Sequence, residues 1–298
     1  MEQKLETEQM FEELYARVAA FMQLERVGLA SDIDGTLSPI VTIPSEARVL
    51  PESREALRLL QQNGRFEVIA LVTGRPPLQA HSMVGLTDML YLGNHGLEAL
   101  LPGAEQPAPV ISAQPYIVAI ATALEEIKTG LQQLVSPRET DSSDWLEKVL
   151  FENKGVTASI HYRLTPDPEY ARQVILELAN TYAAKKGLWV KEGRMVVELR
   201  PPLEINKGTA LADLVKLYRL DGLIFMGDDL TDIDGFRSLK LLEESGIIRE
   251  EGQTAPFQAI AIGVTSPEMD PSLALSSDYL LPGVEGVARF LQWLSTLK

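Results

Sequence analysis

The chain has 298 residues, of which 45% are hydrophobic and 23% charged, a composition typical of globular proteins with one or two domains. Its formal net charge of −15 argues against nucleic acid or an anionic membrane surface as a partner. The absence of cysteine excludes disulfides, zinc sites with cysteine ligands and thiol catalysis, and the acid-rich loops favour a cation with oxygen ligands.

The first predicted element is a helix over residues 6 to 23, whose apolar side chains recur at helical spacing. We expect this apolar stripe to pack on the core of its own chain, and a partner-binding helix is the alternative. The opening stretch carries acids throughout and lacks the basic start and the apolar run of a signal peptide. No run approaches the roughly 18 apolar residues of a membrane helix, so we expect a soluble, cytoplasmic protein.

A short apolar run from Val27 to Ala30 predicts a strand that leads into Ser-Asp-Ile-Asp-Gly-Thr, with Asp32 and Asp34 two residues apart. Ligands bind at the carboxyl ends of strands in an open parallel sheet. One aspartate there can be a nucleophile that takes up a phosphoryl group, while the other handles the proton of the leaving group. For this pair of acids alone, a solvated loop is an equally good interpretation.

Two further strands are predicted, and each ends in a turn with polar side chains. Residues 66 to 72 form a continuous apolar run, typical of a strand buried on both faces, and Thr73 follows it. Taken alone, Thr73 is better explained as a helix cap than as a donor to a phosphoryl oxygen. The run at residues 89 to 92 leads into Gly-Asn-His-Gly, where His95 is interpreted as a polar contact of a site, with turn stabilisation as the alternative. The alternation of strands and helices predicts an α/β architecture.

The middle of the chain has a different pattern, which predicts an inserted domain. A proline-containing linker and a helix over residues 117 to 134 precede alternating runs at residues 145 to 152, 157 to 163 and 194 to 200, with a helix at about 168 to 186 between the last two. Such alternation predicts an antiparallel sheet with one covered face. We therefore expect an N-terminal helix over residues 1–25, a core in two parts over 26–107 and 204–298, and an α+β insertion over 108–203.

The strand and helix pattern of the core resumes after the insertion. Lys207 lies at the predicted start of a helix, and a helix amino end favours anions. The strand at residues 222 to 226 leads into Gly-Asp-Asp-Leu-Thr-Asp, which places Asp228, Asp229 and Asp232 in one turn. Three acids beside a glycine turn suit a magnesium ion, because that ion takes oxygen ligands, and a solvated turn is the weaker alternative.

An acid pair, a hydroxyl, a lysine and an acid cluster thus occur in this order, each at the end of a strand or the start of a helix. Together, DIDGT, Thr73 in VTGR, Lys207 and GDDLTD resemble the four motifs of the haloacid dehalogenase (HAD) superfamily of phosphotransferases. The segments YLGNHGLE, ENKGVTASIHYR, VVELRPPLEINKGTAL and GDDLTDIDGF resemble the trehalose-6-phosphate phosphatase family within it, over about residues 27 to 295. Ile233 replaces a frequent acid of that family, and Thr73 replaces a frequent serine.

The resemblance implies an α/β fold with a Rossmann-like parallel-sheet HAD core and an inserted α+β cap domain. It also implies hydrolysis of trehalose 6-phosphate to trehalose and inorganic phosphate, the last step of trehalose biosynthesis, through an aspartyl-phosphate intermediate and with Mg²⁺ as the cofactor. A sugar phosphate is then the small-molecule partner, with no nucleic acid and no membrane. The sequence does not define the oligomeric state, and a monomer is favoured.

The resemblance also implies roles for individual residues. Asp32 would be the nucleophile, Asp34 the general acid and base, and Thr73 with Lys207 the phosphoryl clamp. The metal would be held by Asp32, the backbone carbonyl of Asp34, and Asp228, while Asp229 and Asp232 would orient the metal's waters or the lysine. The substrate-binding residues would be Gly74, Arg75, Asn94, His95, Glu152, Lys154, Arg163 and Glu198.

Other functions share most of these features. Another capped sugar phosphatase, acting on sucrose phosphate or mannosyl-3-phosphoglycerate, would keep the same motifs and differ in the cap. A phosphomutase is less favoured. A catalytically silent sugar-phosphate sensor is the alternative from a different class, and the full set of charged motif residues argues against it. From the residues alone, the charged positions of the cap runs are better explained by a solvated strand face; these are Glu152, Lys154, His161, Arg163 and Glu198. The resemblance reverses this preference for Arg163 and Glu198 only.

Overall fold

The computed structural model describes residues 2–41, 43–134, 144–248, 254–267 and 269–297 of the chain. The chain forms two units, of which the first contains residues 1–108 and 205–298 and the second contains residues 109–204. Its helices and strands are, in order, α1 (Glu2–Phe21), β1 (Val27–Ser31), α2 (Pro51–Asn63), β2 (Val68–Val72), α3 (Pro77–Val84), β3 (Leu90–Gly93), β4 (Glu98–Leu100), β5 (Ala108–Pro109), α4 (Ile117–Leu134), α5 (Asp144–Glu147), β6 (Leu150–Asn153), β7 (Ala158–His161), α6 (Pro168–Ala184), β8 (Trp189–Gly193), β9 (Val196–Arg200), α7 (Lys207–Leu217), β10 (Gly222–Gly227), α8 (Leu230–Ser245), β11 (Ile247–Ile248), β12 (Thr254–Ala255), β13 (Gln258–Thr265), α9 (Pro271–Ser276), β14 (Tyr279–Pro282) and α10 (Gly283–Thr296).

The first unit contains a mainly parallel sheet with the strand order β14-β13-β10-β1-β2-β3-β4-β5. The strands from β14 to β3 run parallel, and β4 pairs antiparallel with β3. Every residue of β1, β2 and β10 is buried, as their continuous apolar sequences predict. The predicted parallel α/β core is therefore confirmed.

Helices cover both faces of this sheet, because neighbouring residues of a strand point to opposite sides. One apolar cluster joins Leu29 and Ile224 to side chains of α1, α2 and α10. The other joins Ala30 and Phe225 to side chains of α7 and α8. The central strands are thus packed against helices on both faces.

The N-terminal helix α1 is part of this core. Its buried side chains include Phe11, Val18 and Phe21, which belong to the first apolar cluster. On the same helix, the ring of Tyr15 stacks on that of Trp293 in α10, with 3.9 Å between the ring centroids. The apolar stripe therefore packs on its own chain, as the sequence analysis expects.

The three strands that precede the predicted motifs end at the same edge of the sheet. β1 lies between β10 and β2, and its last residue, Ser31, is in register with Met226 and with Leu71. Parallel strands in register deliver the residues that follow them to one edge. This register brings the loop after β1, the turn after β2 and the turn after β10 together.

The second unit is an antiparallel sheet with the order β6-β7-β9-β8. Helices α4 and α6 pack on one face of it through a cluster that includes Ile127, Ile160, Ile175 and Val197. This confirms the expected α+β fold with one covered face, inserted between the two parts of the core.

Two details of the second unit differ from the prediction. Residues 144–147 form the short helix α5, so the strand predicted from residue 145 begins only at Leu150. A helical turn lets the adjacent side chains of Trp145 and Leu146 both pack against the same cluster, which an alternating strand does not. The sequence analysis also missed β8, an edge strand whose polar, exposed residues give only a weak strand signal.

No helix within the described ranges combines the length and the apolar character that crossing a membrane requires.

Candidate active site

The loop after β1 places Asp32 at the carboxyl edge of the sheet. The backbone N–H of Asp32 donates to the carbonyl of Met226 at 2.9 Å, which ties this residue to β10, and its side chain is buried. Gly35 has a φ of +82°, and a Cβ there would collide with the carboxylate of Asp228. Glycine therefore serves two purposes at this position, since it adopts the left-handed conformation and leaves room for Asp228.

Lys207 connects the two acidic loops. It is the first residue of α7, whose amino end is fixed by a capping box between Asn206 and Thr209. Its ammonium group lies 2.9 Å from Asp32 Oδ2 and 2.7 Å from Asp232 Oδ1, and the side chain is only 2% exposed. The cap of the helix and the two carboxylates together fix the position of this cation.

Asp232 holds the lysine in place. Its Oδ1 accepts from Lys207, and its Oδ2 accepts from the backbone N–H groups of Asp228 at 3.2 Å and Asp229 at 3.1 Å. Gly227 is required beside it, because a Cβ on that residue would collide with the Asp232 side chain. Both oxygens of Asp232 are thus used as acceptors within the protein.

Asp229 has a different position from its two acidic neighbours. It is exposed and is the N-cap of α8, where its Oδ1 accepts from the backbone N–H of Leu230 at 2.7 Å. Ile233, which replaces an acid of the family pattern, is buried in the apolar cluster on the α7 and α8 side of the sheet.

The buried carboxylates carry more negative charge than Lys207 can balance. Asp32, Asp228 and Asp232 each offer an oxygen within 4.8 Å of the others. Burial and the neighbouring Asp232 raise the pKa of the Asp228 carboxyl to about 7. Burial also raises the pKa values of Asp32 and Asp232 above their ordinary range. Three buried oxygen donors with excess negative charge are a donor set that suits a hard divalent cation.

The excess negative charge of these carboxylates stabilises the charged form of Lys207. Burial alone would lower the pKa of its ammonium group, but the carboxylates of Asp232 and Asp32 outweigh burial and raise that pKa above its ordinary value. Lys207 is therefore a permanent cation at the edge of the sheet, suited to bind an anionic group.

The turn after β2 carries Thr73 and Arg75. The Thr73 hydroxyl accepts from the backbone N–H of Arg75 at 3.2 Å. The N-cap of the following helix α3 is Pro76, so the interpretation of Thr73 as a helix cap is wrong.

Arg75 reaches from this turn to the loop after β1. Its Nε donates to Asp34 Oδ2 at 2.6 Å and its Nη2 donates to Asp34 Oδ1 at 2.7 Å, so both carboxylate oxygens of Asp34 are engaged.

The turn after β3 supports the turn after β2. Asn94 and His95 both have positive φ values, 50° and 59°. Their backbone N–H groups donate to the carbonyls of Arg75 at 3.0 Å and Thr73 at 2.9 Å. The His95 ring covers Gly74, where a Cβ would lie 2.8 Å from its Nε2. The Asn94 amide donates to the Glu98 carboxylate at 2.6 Å. These contacts show that His95 and Asn94 stabilise the adjacent turn.

In the second unit, the polar face of the sheet brings together three of the eight predicted substrate-binding residues, Glu152, Lys154 and Glu198. Lys154 Nζ lies 3.7 Å from Glu152 Oε2 and 3.9 Å from Glu198 Oε1. His161 Nε2 lies 3.4 Å from the same oxygen of Glu152. Arg163 is exposed in the turn that follows β7.

The sequence profile of the trehalose-phosphatase family matches residues 30–257, which is most of the chain. This protein belongs to the trehalose-phosphatase family. Among its relatives, the trehalose 6-phosphate phosphatase RA3 of Zea mays is 30% identical over 276 residues, which cover 90% of this chain and 69% of that protein. The chain spans 56% to 69% of the lengths of three curated plant relatives.

Solved structures support the same fold for this trehalose-phosphatase family member. The C-terminal domain of trehalose-6-phosphate phosphatase from C. albicans has a TM-score of 0.68 at 20% identity, covering 93% of this chain and 94% of that one. A haloacid dehalogenase-like hydrolase from Bacteroides thetaiotaomicron has a TM-score of 0.58 at 15% identity, covering 91% of this chain and 100% of that one. The predicted HAD fold is therefore confirmed.

The sequence analysis missed one polar residue on the inserted sheet of this trehalose-phosphatase family member. Ser159 is buried between Glu152 and Glu198 in the strand register, and its hydroxyl donates to Glu198 Oε1 at 3.4 Å. The alternation of β7 places Ser159 and His161 on one face, so the signal was present in the sequence.

Proposed function

We propose that this protein is a phosphatase, a phosphoric monoester hydrolase, that releases inorganic phosphate from trehalose 6-phosphate. The observation that carries the proposal is the contact of the Lys207 ammonium group with Asp32 and Asp232, beside Asp228, at the carboxyl edge of a HAD-type sheet. This arrangement supplies a carboxylate nucleophile and a fixed cation for a phosphoryl group, and the family indicates the sugar phosphate.

In the first half-reaction, a carboxylate oxygen of Asp32 forms a bond to phosphorus while the bond from phosphorus to the sugar oxygen breaks. Asp34 gives its proton to that departing oxygen, and trehalose leaves. In the second, a water oxygen forms a bond to phosphorus while the bond to Asp32 breaks. The proton of the water goes to Asp34, so inorganic phosphate is released and both aspartates return to their starting states.

The other core residues bind charge and keep groups in place. Lys207 pairs with phosphoryl oxygens as well as with Asp32, and Asp232 keeps it in position through the contacts described above. The Thr73 hydroxyl donates to a phosphoryl oxygen. Because the three buried carboxylates suit a hard cation, we assign Mg²⁺ to Asp32, the backbone carbonyl of Asp34, and Asp228. When bound, Mg²⁺ neutralises charge that develops on the phosphoryl oxygens.

We assign recognition of the sugar to the polar face of the second unit. Lys154 lies between the carboxylates of Glu152 and Glu198, so each of the three is oriented by the others, and Arg163 adds an exposed cation. Such donors and acceptors can bind sugar hydroxyls and discriminate between substrates through hydrogen bonds. Gly74, Arg75, Asn94 and His95 form the turns of the core that we expected to contact substrate.

The proposal is tested by phosphate release from a panel of sugar phosphates, comparing the wild type with Asp32→Asn. We expect a strong preference for trehalose 6-phosphate that is abolished by the substitution and by EDTA and restored by Mg²⁺. A preference for sucrose phosphate or mannosyl-3-phosphoglycerate would overturn the assignment of the sugar and keep the mechanism. Calorimetric binding of a sugar phosphate without phosphate release would show a sensor instead.

A further inference from the structure

The mechanism above does not use the contact between Asp34 and Arg75. Two parallel hydrogen bonds join them, from Nε to Oδ2 at 2.6 Å and from Nη2 to Oδ1 at 2.7 Å. Two parallel hydrogen bonds fix the plane of a carboxylate as well as its position, which a single contact does not. The arginine side chain is only 10% exposed, against 37% for the aspartate. The buried partner is therefore the anchor, and the more exposed one is held by it.

The backbone of Arg75 is itself held on both sides. Its N–H donates to the Thr73 hydroxyl, and its carbonyl accepts from the N–H of Asn94. Asn94 has a positive φ, as does His95 after it. Such conformations cost on the order of 1 kcal/mol each for residues other than glycine and persist where the surrounding structure requires them. Here they place two N–H groups against the turn that carries Arg75.

We propose that Arg75 is a positioning residue, which holds the Asp34 carboxyl group for proton transfer, and not a residue that binds the sugar. This inference rests on the proposed function, in which Asp34 gives a proton to the departing oxygen and later takes one from water. The Nε and Nη2 edge of the guanidinium group, one of its two edges that can donate two parallel hydrogen bonds, is occupied by Asp34. Arg75 therefore acts on the reaction through Asp34.

The role as a positioning residue predicts an effect that depends on the leaving group. The sugar oxygen of trehalose 6-phosphate needs a proton as it departs, whereas p-nitrophenolate leaves without one. With Arg75→Met, we expect kcat on trehalose 6-phosphate to fall by roughly 10²-fold, within the usual range for general acid–base catalysis, while KM changes by less than about threefold.

The experiment uses stopped-flow kinetics of the full chain with p-nitrophenyl phosphate. For Arg75→Met we expect a rapid burst of p-nitrophenolate, because formation of the aspartyl-phosphate needs no proton from Asp34, followed by slow turnover limited by hydrolysis of that intermediate. Asp34→Asn is the reference and should show the same pattern. The matched control is Arg58→Met, since Arg58 makes an equivalent two-point contact with Glu55, at 2.8 Å and 2.6 Å, on the exposed side of α2. Its kinetics should match the wild type.

Arg75→Lys keeps the charge and most of the length of the side chain, but lysine cannot make the two-point contact. We expect it to fold and to lose roughly 10-fold in kcat with an unchanged KM, which keeps the inference testable if Arg75→Met proves unstable in thermal unfolding. A rise in KM at unchanged kcat in either variant would show that Arg75 binds the sugar. Equal losses on both substrates, with no burst, would place Arg75 on the phosphoryl group.

The proposed function is judged separately within the same experiment. If the wild type releases no phosphate from trehalose 6-phosphate, or if Asp34→Asn is fully active, the proposed function fails. If Asp34→Asn shows the burst pattern and both Arg75 variants behave like Arg58→Met, only the inference about Arg75 fails.

Discussion

The buried carboxylates predict that removal of one negative charge will stabilise the metal-free protein. Burial and the nearby Asp232 raise the pKa of the Asp228 carboxyl from 3.8 to about 7. A carboxyl whose pKa is higher in the folded state stabilises the fold at low pH, and that stability is lost as the pH rises through the folded pKa. At pH 8 the difference corresponds to about 4 kcal/mol of free energy of unfolding.

The perturbation is Asp228→Asn, which keeps the shape of the side chain and can still accept the hydrogen bond from the Thr36 hydroxyl. In EDTA at pH 8, we expect the variant to unfold at a higher temperature than the wild type, by roughly 8 °C for a chain of this size. The gain should shrink as the pH falls and vanish near pH 4, where the wild-type carboxyl is also neutral. Mg²⁺ should stabilise the wild type at pH 8 far more than the variant.

Thermal unfolding monitored by circular dichroism between pH 4 and pH 8 provides the test. Asp229→Asn is the matched control, because it removes the same charge one residue away, at an exposed N-cap where asparagine serves as well as aspartate. It should change the midpoint little at any pH. If Asp228→Asn is no more stable than Asp229→Asn at pH 8 without metal, the reasoning from buried negative charge is refuted.

Three further predictions follow from the same structure. Lys207→Met should reduce kcat for phosphate release by at least about 10³-fold. It should also destabilise the fold by roughly 3 to 5 kcal/mol, because the buried carboxylates lose their cation. The control for both measurements is Lys216→Met, since Lys216 is exposed on the same helix. Gly35→Ala should destabilise the fold by more than about 1 kcal/mol in denaturant unfolding, because alanine disfavours a φ of +82° and its Cβ meets Asp228; equal stability would contradict this. Glu198→Ala should raise KM for trehalose 6-phosphate much more than for p-nitrophenyl phosphate, and equal losses on both would place Glu198 outside sugar recognition.

The sequence predicted the core well where one physical rule dominates. A strand buried on both faces has a continuous apolar sequence, so β1, β2 and β10 were evident, and the rule for parallel sheets placed their acids and hydroxyl at one edge. The signal fails where tertiary contacts decide the local structure. The segment at residues 144–147 is helical because two adjacent apolar side chains share one core, and the polar edge strand β8 pairs with β9 along its whole length.

For the candidate site, too, the sequence predicted the residue types of the motifs but not all of the contacts between them. The types and spacing of Asp32, Asp34, Lys207 and Asp228 were enough to predict a phosphoryl site. Nothing in the sequence indicated that Arg75 would pair with Asp34 across 41 positions, since that contact depends on the register of β1 and β2. Ser159 was overlooked for a simpler reason, because a buried serine on a strand has no charge to draw attention.

The charge of the site links metal and substrate in the proposed mechanism. Lys207 contacts two of the three buried carboxylates, those of Asp32 and Asp232, while Asp34 is engaged by Arg75. A phosphate monoester brings further negative charge to this edge of the sheet, so its binding is opposed unless another cation is present. A divalent cation held by Asp32 and Asp228 would remove that opposition, and by linkage the phosphate would strengthen binding of the cation by the same factor. The carboxylates that make the metal-free site unfavourable for phosphate are therefore also what couples phosphate binding to the metal.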